Sequence, residues 1–475
     1  MNPFTSHPDS SATCLAEQDI APLRGMLRGP ALLPGESGYD QARAIWNAMI
    51  DRHPALIVRA RGTADVMAAV RFAREQGLEL AIRGGGHNVA GHAVCEGGLM
   101  LDLSTMPAAQ VDPRRRVVRV EPGALLADLD KETQAHGLVT PGGFISSTGV
   151  AGLTLGGGFG YLSRRFGLTV DNLRSVELVT AGAEPVQASK EEHPELFWGL
   201  RGGGGNFGVA TAFEFDLHDQ PPEVMAGPVV HDAADAPAVL RRVAEVMREA
   251  PDEVACLPVL RHAPPKPFIP EAFHGEMILL LAMIHSGDPA HSEAALAPLR
   301  RIGRPIADVV ARRPYVTFQS MFDATASAGA RNYWKGHYLD TLEGEAIDVL
   351  CDRARLMPGQ ESSIGMLSLG GETARRPADS TPYPHRQAAW VLNIQARWRE
   401  PEDDERQIAW ARDTFEAMVP FTTGGVYVNF ISGDEGEARV RAAYGEDVHA
   451  RLVALKRRWD PDNVFHLNQN IIPSA

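Results

Sequence analysis

The sequence predicts an α+β protein of two domains, and three observations carry that reading. A strand, a helix and a strand follow one another over 55–59, 64–76 and 78–82, the spacing of a βαβ unit. Glycine clusters crowd the next stretch and mostly stop at Pro221-Pro222, which breaks the pattern. Beyond that point helical patterns interleave with strand-like runs. The clearest run, 389–398, sets Trp390, Leu392, Ile394, Ala396 and Trp398 on one face and Val391, Asn393, Gln395 and Arg397 on the other. A chain of 475 residues exceeds one hydrophobic core, and about two or three domains are expected.

Taken in order, residues 1–30 read as a polar tail with a short helix near 20–27. The 55–59 run is a strand, and 64–76 places Val66, Ala69, Val70, Phe72 and Ala73 at helical spacing. Strands follow at 78–82, 99–103 and 117–120, then a helix at 125–136 that stops before Gly137. A strand at 176–180, a helical turn at 195–199 and a strand at 211–216 close the first domain. The second has helices at 237–248, 293–302 and 407–418, with Pro237 in a first turn where its missing N–H costs nothing. Its clearest strands are 277–283 and 389–398, a sheet with one polar face. The tail reads as a strand at 426–431 and a helix at 447–458, with a proline- and asparagine-rich end. No internal repeat or low-complexity segment is present.

Composition narrows the partners. Lys and Arg total 46 against 60 acids, a net charge of −14, which argues against nucleic acid or an anionic membrane. Hydrophobic residues at 44% and charged residues at 22% are ordinary for a globular chain. Cys14, Cys95, Cys256 and Cys351 show no CxxC spacing, so neither a metal site nor a disulfide scaffold is expected. The first 28 residues lack a signal-peptide pattern, and apolar runs such as 277–284 are too short to span a bilayer, so a cytoplasmic location is expected.

The most informative motif is Arg83-Gly84-Gly85-Gly86-His87, directly after a strand. Three successive glycines leave peptide N–H groups free to approach an anion, and a histidine at the loop's end sits beside whatever the loop grips. The competing reading is a turn followed by a surface histidine. A second region holds Gly142, Gly143, Gly149, Gly152, Gly156, Gly157, Gly158 and Gly160, and a third runs from Arg201 to Asn206. The 156–160 run fails as a dinucleotide fingerprint, because no strand leads into it at the required spacing and no ribose-binding acid follows. Three bare loops together suggest one extended ligand gripped along its length.

These motifs resemble a known family. The segment Ala81-Ile-Arg-Gly-Gly-Gly-His-Asn-Val-Ala-Gly-His92 resembles the flavin-attachment loop of the berberine bridge enzyme-like FAD-linked oxidases, within the vanillyl-alcohol oxidase and p-cresol methylhydroxylase superfamily. Gly149–Gly160 with Arg165–Asn172 resembles the family's second loop, and Leu196–Gly208 the third. Tyr427-Val-Asn429 and Trp459–Asn470 resemble its C-terminal signature, so the likeness runs from about 45 to 473. It implies a two-domain FAD-linked oxidase fold. The FAD-binding domain, of two α/β subdomains, would be residues 1–221, joined by 425–475. A substrate domain over 222–424 would be a large antiparallel sheet backed by helices.

The resemblance further implies FAD bonded through His87, with His92 as the other candidate. Arg83, Gly84, Gly85, Gly86, Asn88, Val89, Gly91 and His92 would line the cofactor from the first loop. Gly142, Gly143, Ser147, Thr148, Gly149, Gly152, Gly156, Gly157, Gly158 and Gly160 would do so from the second. Val179, Tyr427, Asn429 and Asn468 complete the expected set. Many relatives add a cysteine tether where this chain has Ile145, so a single covalent link is expected, and Cys95 reads as a buried small residue. The family's catalytic tyrosine is replaced by Phe430. Base candidates are then Tyr427, Asn429, Gln395, Arg397 and Glu372, with Asn393 and the cluster Tyr333, Trp334, His337 and Tyr338 alongside, each weighed against plain packing or exposure. The implied activity is hydride transfer from a C–H next to an alcohol or amine of a small molecule, with O2 as acceptor giving H2O2. A dehydrogenase using another acceptor, or a non-redox protein on the same fold, is the alternative. No metal is expected, and oligomeric state stays open.

Overall fold

In the computed structural model, residues 15–473 are described; Cys14 and the start of the expected polar tail lie outside them. The helix expected near 20–27 is Glu17–Met26. Strands Leu56–Arg59 and Leu80–Arg83 flank helix Thr63–Glu75, which buries all five residues of its apolar stripe. The two strands are parallel but not neighbours: Leu99–Asp102 lies between them, parallel to both. All three strands therefore end on the same side, where loops from a parallel sheet form ligand crevices. The first glycine loop leaves from that side.

A second sheet of five antiparallel strands completes this half, in the order Ala109–Asp112, Val117–Val120, Val209–Asp216, Leu173–Val179, Pro185–Ser189. Phe213 and Phe215 pack from it against helices Leu126–Gln134 and Pro194–Leu200 in one core.

The chain enters the large sheet at Glu223, immediately after Pro221-Pro222. This sheet is antiparallel, in the order Ala307–Asp308, Glu223–Asp232, Met277–His285, Val254–His262, Ser363–Ser368, Trp390–Trp398, Arg331–Leu339, with Ala311–Pro314 beside Glu223–Asp232. Helices Ala236–Glu249, Ser292–Arg300, Glu345–Arg355 and Asp404–Met418 bury their apolar stripes on one face of the sheet. Trp390, Leu392, Ile394, Ala396 and Trp398 join that core, as their alternation predicts. The opposite face turns toward the first half of the molecule.

Two features of the returning C-terminal segment differ from the sequence reading. Residues 426–431 are not a strand; they carry one 3-10 turn, Val428–Phe430. Val426, Tyr427 and Ile431 are all buried where the chain returns between the halves, so an apolar run marks burial from all sides rather than a sheet position. Helix Glu437–Tyr444 was also unanticipated, its short stripe of Val440, Ala443 and Tyr444 being too sparse to stand out. The last helix, Glu446–Trp459, appears as expected. Among the described residues no helix is long and apolar enough to cross a membrane, and no cluster of His, Cys, Asp or Glu is placed to hold a metal ion.

Candidate active site

A cavity of about 310 Å³ lies between the first half's loops and the free face of the large sheet. The first loop contributes Gly84 to Asn88, and the second contributes residues 143–145, Thr148, Gly149, Gly152 and Leu153. A Cβ built on Gly85 would lie 2.5 Å from Gly149 Cα, so the two loops pass each other only because both are bare there. Phe159, Tyr161, Tyr427, Asn429 and Phe430 close the side wall.

His87 sits where the first loop meets the cavity. Its Nε2 is 3.0 Å from Ser147 Oγ, and its ring stacks on Trp46 at 5.0 Å and 19°. Trp46 donates its indole N–H to the Ala326 carbonyl at 2.6 Å and meets Trp334 edge-on at 5.4 Å. Burial, seconded by the nearby Arg397 guanidinium, pushes the His87 pKa down to about 4, so the imidazole is neutral near pH 7. With Nε2 engaged, Nδ1 is the nitrogen with no protein partner among the described residues. His92 is half-buried, its pKa likewise pushed down to about 4 by burial first, but it does not line the cavity.

The sheet supplies the opposite wall in cross-strand rows. Arg261 pairs with Ser363, Ser363 with Gln395, and Gln395 with Trp334, and all four side chains line the cavity. The next row is Leu280, Val259, Gly365 and Asn393, and beyond it lie Leu257, Leu367 and Val391. Polarity therefore falls along the strands from the Arg261 end to the Leu257 end. Of the residues expected here, Gln395 and Asn393 join the cavity wall. Arg397 stands just outside it, 5.9 Å over Trp46 and bonded to Glu361 at 3.0 Å. Tyr333, His337 and Tyr338 stay out of it, while Trp334 enters.

Several expected site residues have protein partners of their own. Glu372 is off the cavity, paired with Arg375 at 3.3 Å and Arg376 at 2.9 Å. Tyr427 lines the wall, but its phenol oxygen accepts from the Gly158 N–H at 3.1 Å and from Asn429 Nδ2 at 2.9 Å. Burial pushes its pKa up to about 12, which unfits it as a base near neutrality. Asn429 also donates to the Gly152 carbonyl at 3.2 Å.

The run from Gly156 to Gly160 makes room for these contacts. A Cβ would lie 2.3 Å from the Asn429 amide at Gly156, 2.8 Å from Tyr383 at Gly157, 2.3 Å from Thr169 at Gly158 and 2.2 Å from the Gly142 carbonyl at Gly160. Gly142 itself is packed on Leu126. The third cluster is packed by protein as well. A Cβ at Gly203 would meet Leu452 at 2.8 Å, and the Asn206 side chain bonds the Gln469 carbonyl and the Ile471 N–H, so this loop seats the C-terminal helix and tail.

The remaining expected cofactor residues lie off the cavity wall. Arg83 donates to the Ala42 carbonyl at 2.5 Å, the Val89 carbonyl accepts from Asn47 at 2.9 Å, and Gly91 turns against Ile50 with φ +81°. Val179 pairs with Val209 in the five-stranded sheet, and Asn468 donates to the Phe465 carbonyl at 2.9 Å. Sequence reasoning missed Trp46, Tyr161, Phe144 and Arg261. A lone arginine carries no local signal, since register across strands brings it to the site, and Trp46 reaches it from a bend outside any strand.

Comparison with known proteins places this arrangement. Residues 54–189 match the family model described as FAD binding domain, and residues 426–472 match the one described as berberine and berberine like. An FAD-linked oxidoreductase of Dictyostelium discoideum is 30% identical over 471 residues, covering 98% of this chain and 99% of that one. The (R)-6-hydroxynicotine oxidase of Paenarthrobacter nicotinovorans is 31% identical over 459 residues, covering 94% and 98%. The crystal structure of 6-hydroxy-D-nicotine oxidase from Arthrobacter nicotinovorans superposes with a TM-score of 0.84 at 28% identity, covering 94% of this chain and 98% of that one. The chain is thus an FAD-linked oxidoreductase and belongs to the berberine bridge enzyme-like family.

Proposed function

We propose that this enzyme is an oxidase that takes hydride from a C–H next to an alcohol or amine of a small molecule, with FAD held covalently through His87 alone. The state of that imidazole carries the reading: neutral, fixed at Nε2 by Ser147, stacked on Trp46 and open at Nδ1. A neutral ring with a free lone pair is the form that bonds to carbon. Ile145, on the cavity wall where relatives carry a second tether, has no nucleophile to offer. Cys95 is fully buried, its thiol pushed up to about 12 by burial above all, and it is off the cavity.

The cavity fits a flat ring system with polar edges. Gly84, Gly85, Gly149 and Gly152 present bare backbone, and a Cβ at Gly152 would meet nothing within 4 Å. Trp334 Nε1, Tyr161 Oη and Asn393 Oδ1 are buried wall atoms with no protein partner among the described residues. Such orphaned groups are costly unless a ligand answers them. When bound, FAD supplies the two-electron acceptor, receiving hydride at N5 and passing the electrons to O2 to give H2O2.

Residues 1–221 with 425–475 would form the FAD domain, and 222–424 the substrate domain whose sheet faces the reacting bond. Among the described residues no Asp, Glu or Lys lines the cavity. An alcohol needs a base for its proton, whereas a neutral amine can release hydride from the neighbouring carbon without one, so the wall favours the amine branch. Anaerobic mixing with a panel of amines and alcohols tests this: an amine is expected to bleach the flavin, and air to restore its colour with release of peroxide. Slow reoxidation in air would point to a dehydrogenase with another acceptor, and absence of bleaching across the panel would sink the reading.

A further inference from the structure

Arg261 is the one permanently charged side chain on the cavity wall among the described residues. It stands on strand Val254–His262, at the head of the polar cross-strand row that continues through Ser363 and Gln395 to Trp334. Its Nε donates to the His262 carbonyl at 3.2 Å, and no carboxylate of the described residues lies within 4.0 Å of it. The nearest acid acting on it, Glu361, is already held by Arg397 at 3.0 Å and Arg399 at 2.8 Å. Ser363 donates its hydroxyl to Gln395 Oε1 at 3.1 Å, which leaves the Gln395 amide N–H groups open beside the unpartnered Trp334 indole N–H. The neighbouring wall is apolar: Leu257, Val259, Leu280 and Leu367.

A half-buried cation beside apolar groups without a counter-ion is expensive, and an arriving anion offsets that cost. Burial opposes the charge of Arg261, and Glu361 supports it only from a distance. We propose that the substrate carries a carboxylate, and that Arg261, assisted by the Gln395 amide, is the site that receives it. This rests on the oxidase reading above and narrows it: the substrate is a small amine or alcohol bearing one carboxylate away from the oxidised carbon. The guanidinium fork matches the two oxygens of one planar carboxylate. A phosphate dianion would bring a second negative charge into a wall with no second cation to meet it. The site belongs to the sheet, in the other half of the molecule from the glycine loops, so it is separate from the backbone cradle of the first loop.

The test uses the oxidised holoenzyme and three probes: benzoate, the neutral benzamide and phenyl phosphate, with binding read from the flavin absorbance. Benzoate is expected to bind on the order of 30-fold tighter than benzamide, the worth of a charge-assisted pair. Arg261→Gln is expected to remove that preference while leaving benzamide affinity, melting temperature and flavin retention unchanged, and Arg261→Lys to restore part of it. Equal binding of benzoate and benzamide would overturn the proposal while leaving the oxidase reading intact. Benzoate preference in an enzyme that oxidises nothing would leave the anion site standing and sink the oxidase. Tighter binding of phenyl phosphate would overturn the choice of carboxylate. A changed flavin potential in Arg261→Gln would assign the residue to the cofactor and overturn the proposal. If Arg261→Gln fails to fold, the Lys variant decides, because loss of benzoate preference with the positive charge kept would also count against a simple charge site.

Discussion

Arg386 and Asp171 join the two halves of the molecule, and removing one partner should show how much. Asp171 lies in the turn Thr169–Asn172 of the first half, and Arg386 in the loop before strand Trp390–Trp398 of the large sheet. The guanidinium makes two bonds to the carboxylate, at 2.7 and 2.9 Å, with side chains 0% and 3% exposed. Arg386 also donates to Thr381 Oγ1 at 2.8 Å, and Asp171 also accepts the Leu168 N–H at 2.9 Å. Arg386→Met keeps the volume but strands a buried carboxylate with that single backbone donor, a loss of about 3–5 kcal/mol. With about 2.1 cal/mol/K of unfolding entropy per residue, a chain of 475 residues loses about 1 °C per kcal/mol. The melting temperature of the holoenzyme should therefore fall by about 3–5 °C. Adding Asp171→Asn removes the stranded charge while keeping an acceptor for Leu168, so the double variant should recover about half of the loss or more. Calorimetry and urea midpoints on wild type, both single variants and the double variant give the full cycle. A single variant within about 1 °C of wild type, or a double variant no better than Arg386→Met, would refute the reasoning.

Other expectations follow from the same geometry. Ser147→Ala frees the His87 ring from its Nε2 partner, so flavin attachment should be incomplete or slow, read as the fraction of protein fluorescing on a denaturing gel. Tyr427→Phe leaves the Gly158 N–H and an Asn429 donor unanswered, costing about 1–3 kcal/mol by urea unfolding. Its turnover should fall far less than removal of a catalytic base would require. His92 and His337 have pKa values pushed down to about 4, by burial first in each case. Between about pH 6.5 and 4 the unfolded chain binds protons that the folded one refuses, so stability is full above 6.5 and falls as the pH drops through that window. Melting scans from pH 8 to 4.5 should show the decline, and His92→Asn should flatten it.

What the sequence disclosed follows from the range of each interaction. Helix Thr63–Glu75 was legible because five apolar residues repeat within four turns, and His87 because a strand, three glycines and a histidine are contiguous. The large sheet's buried face was legible from alternation in 390–398 alone. Arg261 was not, because its place beside Ser363 and Gln395 depends on the register of strands far apart in sequence. The runs at 156–160 and 201–206 carry a signal of close approach that the sequence alone does not assign. Glycine marks a place where something approaches the backbone closely, and Asn429, Tyr383 and the C-terminal helix are among the groups that do so here. The apolar run at 426–431 misled, since burial on every side leaves no periodicity to read.

Peptide mapping of acid-denatured enzyme by mass spectrometry tests the flavin link itself. One FAD is expected on the peptide containing His87, none on any cysteine peptide, and a colourless precipitate from His87→Ala. Flavin found entirely in the acid supernatant of the wild-type enzyme, or attached at His92 or at a second residue as well, would contradict it.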